Sequence, residues 1–297
     1  MKRIAMTLAQ LQTFSVVADV GSFTIASEQL GMTQSAVSHA VAALEKELQV
    51  SLLERKRGSV VTTEIGKQVL SQAREMLAIA ERIQQSAATA IGLETGRIRL
   101  GSFPSVSARL LPGLLRRFHQ RYPGIEIALL EGTDQEVIEW IRSRTVDAGV
   151  VTLPTDKAFK TVELAQDEFL AVVPKHHRLA NNSQVDIRQL SDEPFIMSKA
   201  GCGPFIKSLF RKVNVTPKIQ FEVIGLQTIF TMVEDNMGIT IVPSMTLPAD
   251  CSNLHTMSFS PKQLRQTAFA SLAEGSMTPA LSAFLSEVEP FDLPGSS

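Results

Sequence analysis

Between Thr33 and Lys46 the run TQSAVSHAVAALEK places hydroxyls, one amide and one imidazole at helical spacing. At about 100° per residue, Ser35, Ser38, His39, Ala42 and Lys46 share one side, and Val37, Val41, Leu44 and Leu48 share the other. The polar side is short-chained and nearly free of acid. Such a face can enter the major groove of a duplex, where Gln34 and the serines meet base edges and phosphates. Thr33 is placed to cap the helix, whose positive end favours a phosphate. Farther on, Arg55, Lys56 and Arg57 crowd beside Gly58. Three cations at a tight turn suit a grip on the sugar–phosphate backbone. The alternative for the same residues is a three-helix protein-interaction domain with an incidental basic hairpin.

A second set of polar residues lies in the C-terminal half, just past expected strands. It comprises Ser102, Pro104 and Ser105, then Gly132 and Thr133, then Thr152. Later come Ser198, Lys199, Gly201, Cys202 and Gly203, and then Ile224 and Gly225 ahead of a helix carrying Gln227. Ligands of open α/β sheets sit beyond the C-terminal strand ends. Hydroxyls, glycines, free helix N–H groups and one lysine suit a small anion such as a carboxylate. The competing account is that these residues only cap helices and make turns. Cys202 precedes an expected helix N-terminus, with Lys199 close by, which predicts a lowered thiol pKa. A redox-sensing role for Cys202 therefore stays open, although Cys251, the other cysteine, is distant in sequence.

Other chemistry is not indicated. His176-His177 would point to opposite sides of an extended stretch, a poor joint metal site. His119 and His255 have no Cys or carboxylate at metal spacing. No Ser-His-Asp order, phosphate loop or dinucleotide glycine fingerprint occurs, so neither an enzyme nor a cofactor is expected. Two scattered cysteines fit a reducing compartment. No apolar leader or membrane-length run is present, and a soluble, cytosolic protein is expected. Net charge is −1, and residues 1–67 hold seven Lys/Arg against six Asp/Glu, so a nucleic-acid reading rests on local charge placement.

The elements that must position these groups follow from periodicity. Leu8, Leu11, Phe14 and Ala18 predict a first helix ending at Gly21. Ser22 caps a second running to Leu30, with Phe23, Ala26 and Leu30 inward. Thr33 caps a third reaching Leu48. Residues 51–55 and 59–63 read as two short strands forming a wing. From Glu64 to about Ile91, the series Ile65, Val69, Ala73, Met76, Ala80, Ile83, Ala87 and Ala90 makes a heptad-like seam on one long helix. It packs either on its own C-terminal domain or on a second copy. Pairing of copies predicts an inverted-repeat DNA site. Residues 92–96 read as a break. Beyond it, strands are expected at 98–100, 125–130, 148–151, 169–173, 195–197, 219–223, 239–242 and 267–272. Helices are expected at 110–121, 134–142, 205–212, 226–234 and 279–288. That is a βαβ pattern in two α/β lobes.

Residues 14–66 resemble the DNA-binding domain of the LysR-type transcriptional regulators. The resemblance is carried by Ala18, Gly21-Ser22-Phe23-Thr24, Ala26, Leu30, the block Thr33 to Ser38, Leu44-Glu45, Leu48, Leu53, Arg55, Thr63 and Gly66. It extends through the layout of nearly the whole chain, with departures at Ser27, His39 and Leu53. The resemblance implies an α+β multidomain fold. A winged helix-turn-helix would span 1–63 and a linker or dimerisation helix 64–92. A two-lobed domain of the type 2 periplasmic-binding-protein kind would comprise 97–164 plus 265–289 as lobe I and 165–264 as lobe II. It implies that Gln34, Ser35, Ser38 and His39 face DNA, that Arg55 and Arg57 hold its backbone, and that the cleft binds a coinducer. The expected partners are double-stranded DNA, a small effector and further copies in a homodimer or homotetramer, with no membrane. Two alternatives remain: a thiol-sensing regulator acting through Cys202, and a two-lobed solute-binding protein.

Overall fold

The computed structural model describes residues 5–56, 59–90, 95–199, 201–273 and 277–291, with the backbone alone at 89 and 90. Arg57 and Gly58 of the expected wing tip, and most of the expected break at 92–96, lie outside the described residues. The chain divides into two compact units. One is Met1–Thr95 with Arg142–Thr145 and Met277–Pro279, and the other is Gly96–Ile141 with Val146–Ser276 and Ala280–Ser297.

In the first unit, α1 (Leu8–Val20), α2 (Phe23–Leu30) and α3 (Gln34–Leu48) precede a hairpin of β1 (Leu53–Lys56) and β2 (Ser59–Thr62), and α4 (Glu64–Ala90) follows. Local chemistry sets each helix start. Thr7 and Gln10 cap α1 reciprocally: the Gln10 N–H donates to Thr7 Oγ1 at 3.2 Å, and the Thr7 N–H to Gln10 Oε1 at 2.9 Å. Ser22 and Thr33 cap α2 and α3, as their positions in the sequence predict. Leu11, Phe14, Val17, Val37, Val41, Leu44 and Leu52 fill the core. Full burial of each such side chain contributes about 1.5–3 kcal/mol.

Two devices seat the hairpin against the helices. Glu45 Oε1 accepts the Leu52 N–H at 2.7 Å and the Leu53 N–H at 3.2 Å. The Val60 N–H donates to the Gly21 carbonyl at 2.8 Å. At the next corner, a Cβ on Gly66 would stand 2.1 Å from the Leu52 carbonyl oxygen, so α4 can start there only without a side chain.

The seam on α4 divides. Of its residues, Val69 and Ala73 join the core beside α1, with Leu70 next to them, whereas Ile65, Met76 and Ile83 stay exposed, as does Ile79 nearby. Buried Arg74 is held by Asp19 of α1. Pattern alone assigns the seam to one partner. The chain's own first helix takes Val69 and Ala73, because Asp19 supplies the counter-charge that lets Arg74 be buried there.

The second unit contains β3 (Gly96–Ser102), α5 (Pro104–Arg109), α6 (Leu111–Arg121), β4 (Ile125–Glu131), α7 (Asp134–Arg142), β5 (Ala148–Thr152) and β6 (Phe159–Pro174). It continues with β7 (Gln184–Val185), β8 (Pro194–Ser198), α8 (Gly203–Lys212), β9 (Lys218–Val223), α9 (Leu226–Glu234), β10 (Thr240–Pro243), β11 (Leu254–Phe259), β12 (Leu264–Leu272) and α10 (Pro279–Ser286). The expected parallel pairs are present: β3 lies between β4 and β5, and β8 pairs with β9. The joining strands are antiparallel. β12 pairs with β5 and β6, and β6 pairs onward with β10 and β11.

Each lobe has a core on both faces of its sheet. In the first, Leu100, Phe118, Phe269 and Phe284 pack on the side of α6 and α10, and Val137, Ile141 and Val151 on the side of α7. In the second, Phe195, Ile206 and Phe210 pack with α8, and Ile196, Ile229 and Val233 with α9. Two expectations need correction. The single helix at 110–121 is preceded by α5, and Pro112 in the first turn of α6 has no N–H to continue the α5 ladder. The strand at 169–173 is only the end of 16-residue β6, whose pairing with β12 carries a register shift beside Leu164. β11 is a strand to which the sequence pattern assigns no element, because His255, Thr256 and Ser258 hide the usual apolar signal.

Replacing Glu45 by Ala should cost about 1–3 kcal/mol, since two buried-side amides lose a charged acceptor. Hydrogen exchange at the Leu52 and Leu53 amides should accelerate accordingly, and unchanged exchange would refute the anchoring role.

Candidate functional site

In the first unit, α3 offers an exposed row of Gln34, Ser35, His39 and Lys46, with Ser38 half-buried beside it. Val37, Val41 and Leu44 are buried beneath. The side chain of Thr33 is engaged in the cap: its Oγ1 accepts the Ala36 N–H at 3.2 Å and lies 3.1 Å from Ser35 Oγ. The first turn of α3 carries no acid to repel a phosphate. Arg55 and Lys56 end β1 fully exposed, and Arg55 lies over the Phe23 ring at 5.4 Å from its centroid. Arg57 lies outside the described residues.

In the second unit, the two strands that pass between the lobes meet at a buried ion pair. Arg265 of β12 and Asp167 of β6 face each other in register. Arg265 Nε donates to Asp167 Oδ1 and Nη2 to Oδ2, both at 2.8 Å. Its Nη1 donates to Ser105 Oγ at 3.3 Å. The Met245 N–H donates to Asp167 Oδ2 at 3.2 Å. Phe103 and Phe169 flank the guanidinium, at 5.4 and 5.8 Å from its carbon, and Phe205 of α8 stacks on Phe169 at 4.1 Å. Of five N–H donors on an arginine, three are used by described groups.

The expected cleft residues gather unevenly around this pair. Ser102 and Ser105 are buried, and Ser102 Oγ reaches only the Phe103 carbonyl, at 3.4 Å. Pro104 opens α5. Thr133 is committed to Glu136: its N–H and Oγ1 both donate to Glu136 Oε2, at 2.7 and 2.8 Å. The Thr152 N–H donates to Asp134 Oδ1 at 2.7 Å. Gly201 adopts φ +104°, and a Cβ there would lie 3.6 Å from Thr133 Cα and Asp134 N, so the two lobes approach closely at this point. Cys202 begins α8 and Gly225 begins α9, neither with a side-chain cap. Lys199 is exposed and pairs with Glu222 at 3.1 Å. Gly225 and Gln227 are exposed.

The electrostatics correct one expectation. Burial pushes the Cys202 thiol above its ordinary value, with Asp167 and Asp134 adding to the rise and Arg265 opposing it. The lowering expected from the helix N-terminus is outweighed. Burial likewise raises Asp134, against its bonds to Thr152 and the charge of Arg265. Glu136 is lowered by the Thr133 N–H and hydroxyl. Sequence reasoning missed Arg265, Asp167 and Asp134. Only Asp134 left a signal, as an acid directly after Thr133 at a helix start. His177 is taken up by Glu193 at 3.2 Å, and no group of three potential metal ligands occurs among the described residues. No described helix is long and apolar enough to cross a membrane.

Residues 8–67 match a family model described as the bacterial regulatory helix-turn-helix protein of the lysR family, and residues 92–290 match the LysR substrate binding domain. The HTH-type transcriptional regulator YvbU of Bacillus subtilis (strain 168) is 37% identical over 282 residues, covering 93% of this chain and 96% of that protein. A full-length OxyR variant of Pseudomonas aeruginosa has the same fold, with a TM-score of 0.76, 22% identity, and coverage of 95% of this chain and 97% of the other. The effector-binding domain of QuiR in complex with shikimate superposes with a TM-score of 0.59 at 26% identity, covering 65% of this chain and 95% of that one.

Because the Asp134 carboxyl is raised above 3.8, the folded protein holds its proton more tightly than the unfolded chain does. That lowers stability at neutral pH, and the deficit disappears as pH falls through the raised pKa. Asp134→Asn keeps an acceptor for the Thr152 N–H and removes the charge. Its thermal midpoint should exceed the parent's at neutral pH, with the gap closing as pH falls toward 3.8. A gap of opposite sign, or one independent of pH, would overturn this assignment.

Proposed function

This chain belongs to the LysR family of bacterial transcriptional regulators, and on that premise we propose that a small ligand held near Arg265 controls how α3 and the wing sit on duplex DNA. The observation that carries the reading is the junction of the lobes. Ser105, Asp167, Asp134, Gly201 and Cys202 gather around one buried arginine where both crossing strands pass. A ligand there can change the equilibrium only through unequal affinity for two arrangements of the protein. Gln34, Ser35, Ser38 and His39 read bases. Thr33 at the helix start, with Arg55, Lys56 and Arg57, holds the phosphates.

The ligand is a small carboxylate. Glu136 already takes the Thr133 N–H and hydroxyl at the start of α7, and Asp134 adds a second carboxylate there, so the ligand's charged end turns toward α8 and Arg265. The shikimate complex of the QuiR domain supports this class. Met76, Ile79 and Ile83 on α4 support pairing with a second copy, in a dimer or tetramer, on an inverted-repeat site in the cytoplasm. The raised Cys202 thiol argues against peroxide-type sensing. Cys251 packs in the α9 cluster with its Sγ donating to the Pro248 carbonyl at 3.3 Å.

Ser38→Ala and His39→Ala should each weaken specific binding by about 1–3 kcal/mol relative to random duplex. Equal losses on both duplexes would move base reading elsewhere. In thermal-shift titrations, shikimate or benzoate should raise the midpoint and their neutral amides should not. A stronger response to the amides would exclude the anion. Cys202→Ser should keep the response, and its loss would promote the thiol reading.

A further inference from the structure

We propose that Phe23 is a positioning residue for DNA binding: its ring holds the Arg55 guanidinium in place without neutralising it. The proposal rests on the wing reading above. Arg55 is exposed on β1, and its guanidinium carbon stands 5.4 Å from the Phe23 centroid. Among the described residues no carboxylate pairs with it, and the ring is its one partner.

The choice of partner matters. An arginine left free would lose its rotamer freedom on meeting a phosphate, which weakens the contact. A carboxylate would order it but would compete with the phosphate for the same N–H groups and cancel the charge. An aromatic face orders the cation while leaving its full charge and its donors in place. Phe23 suits this because it is itself fixed. It is the first residue of α2, directly after the Ser22 cap, and it packs on the core of α1 and α3. Val60, the register partner of Arg55 on β2, also packs on that core and donates its N–H to the Gly21 carbonyl, two residues before Phe23. The ring and the strand carrying the arginine are thus fixed to the same corner.

The test is a double-mutant cycle on the full chain, read by fluorescence anisotropy with a labelled mixed-sequence duplex at low salt. Phe23→Leu keeps apolar bulk and removes the ring, and should weaken binding about two- to five-fold. Phe23→Tyr should restore it. In an Arg55→Gln background, Phe23→Leu should change nothing further. Arg55→Gln should flatten the salt dependence, whereas Phe23→Leu should leave the slope intact because the charge remains. Phe23→Met replaces Phe23→Leu if the latter lowers the helical signal. Equal losses from the Phe23 change in both backgrounds would overturn the positioning role. Parent-like binding by Arg55→Gln would overturn the wing reading itself, and this proposal with it.

Discussion

The second unit depends on one buried ion pair. Two charges taken out of water are tolerable only when each satisfies the other and the remaining hydrogen-bonding atoms find partners. Arg265 and Asp167 meet that condition through a two-point contact, with Ser105 and the Met245 N–H taking up further capacity. Removing either partner alone would leave an uncompensated buried charge, at a cost of about 3–5 kcal/mol. The pair also fixes register. β6 and β12 face each other from Leu264 and Glu168 to Leu272 and Phe159, with one shift between Thr267 and Ala268. A slip of either strand by one residue would turn its charge to the opposite face of the sheet, away from its partner. The geometry of the cleft therefore follows from how the crossing strands are locked.

Around that lock the helix starts divide the work. On the first lobe, Glu136 takes the Thr133 N–H and hydroxyl at the start of α7, and Asp134 takes the Thr152 N–H at the end of β5. On the second, α8 and α9 begin without side-chain caps. The start of α7 thus carries carboxylates, whereas the starts of α8 and α9 carry none. The first unit shows related economy in its use of charge. Arg74 is buried and neutralised by Asp19, while Arg55 is exposed and steadied by a ring.

Much of this was readable in the sequence. α3 announced itself because its polar and apolar residues separate cleanly at the helical period, and its caps are residue types with a single common use. The wing followed from cations flanking a turn glycine. The lobes followed from alternating strands and helices. What escaped reading is what depends on distant parts of the chain. Arg265 and Asp167 are 98 residues apart, and no spacing rule connects them. The sequence pattern gives only the end of β6 because its first half carries exposed Lys160, Thr161 and Glu163, while burial is unbroken only from Phe169 on, so one strand carries two patterns. Cys202 misled because helix position and burial act on a thiol in opposite directions, and sequence displays only the first.

The arrangement of β6 and β12 has an evolutionary consequence. Thr133, Gly201 and Cys202 sit at helix starts outside the β6–β12 pairing, so substitutions there would leave the lock undisturbed. Arg265 and Asp167 cannot lose their charges one at a time, because replacing either by an uncharged residue strands the other in the interior. Lineages descending from such a chain would diversify in what they sense much faster than in how the two lobes are joined.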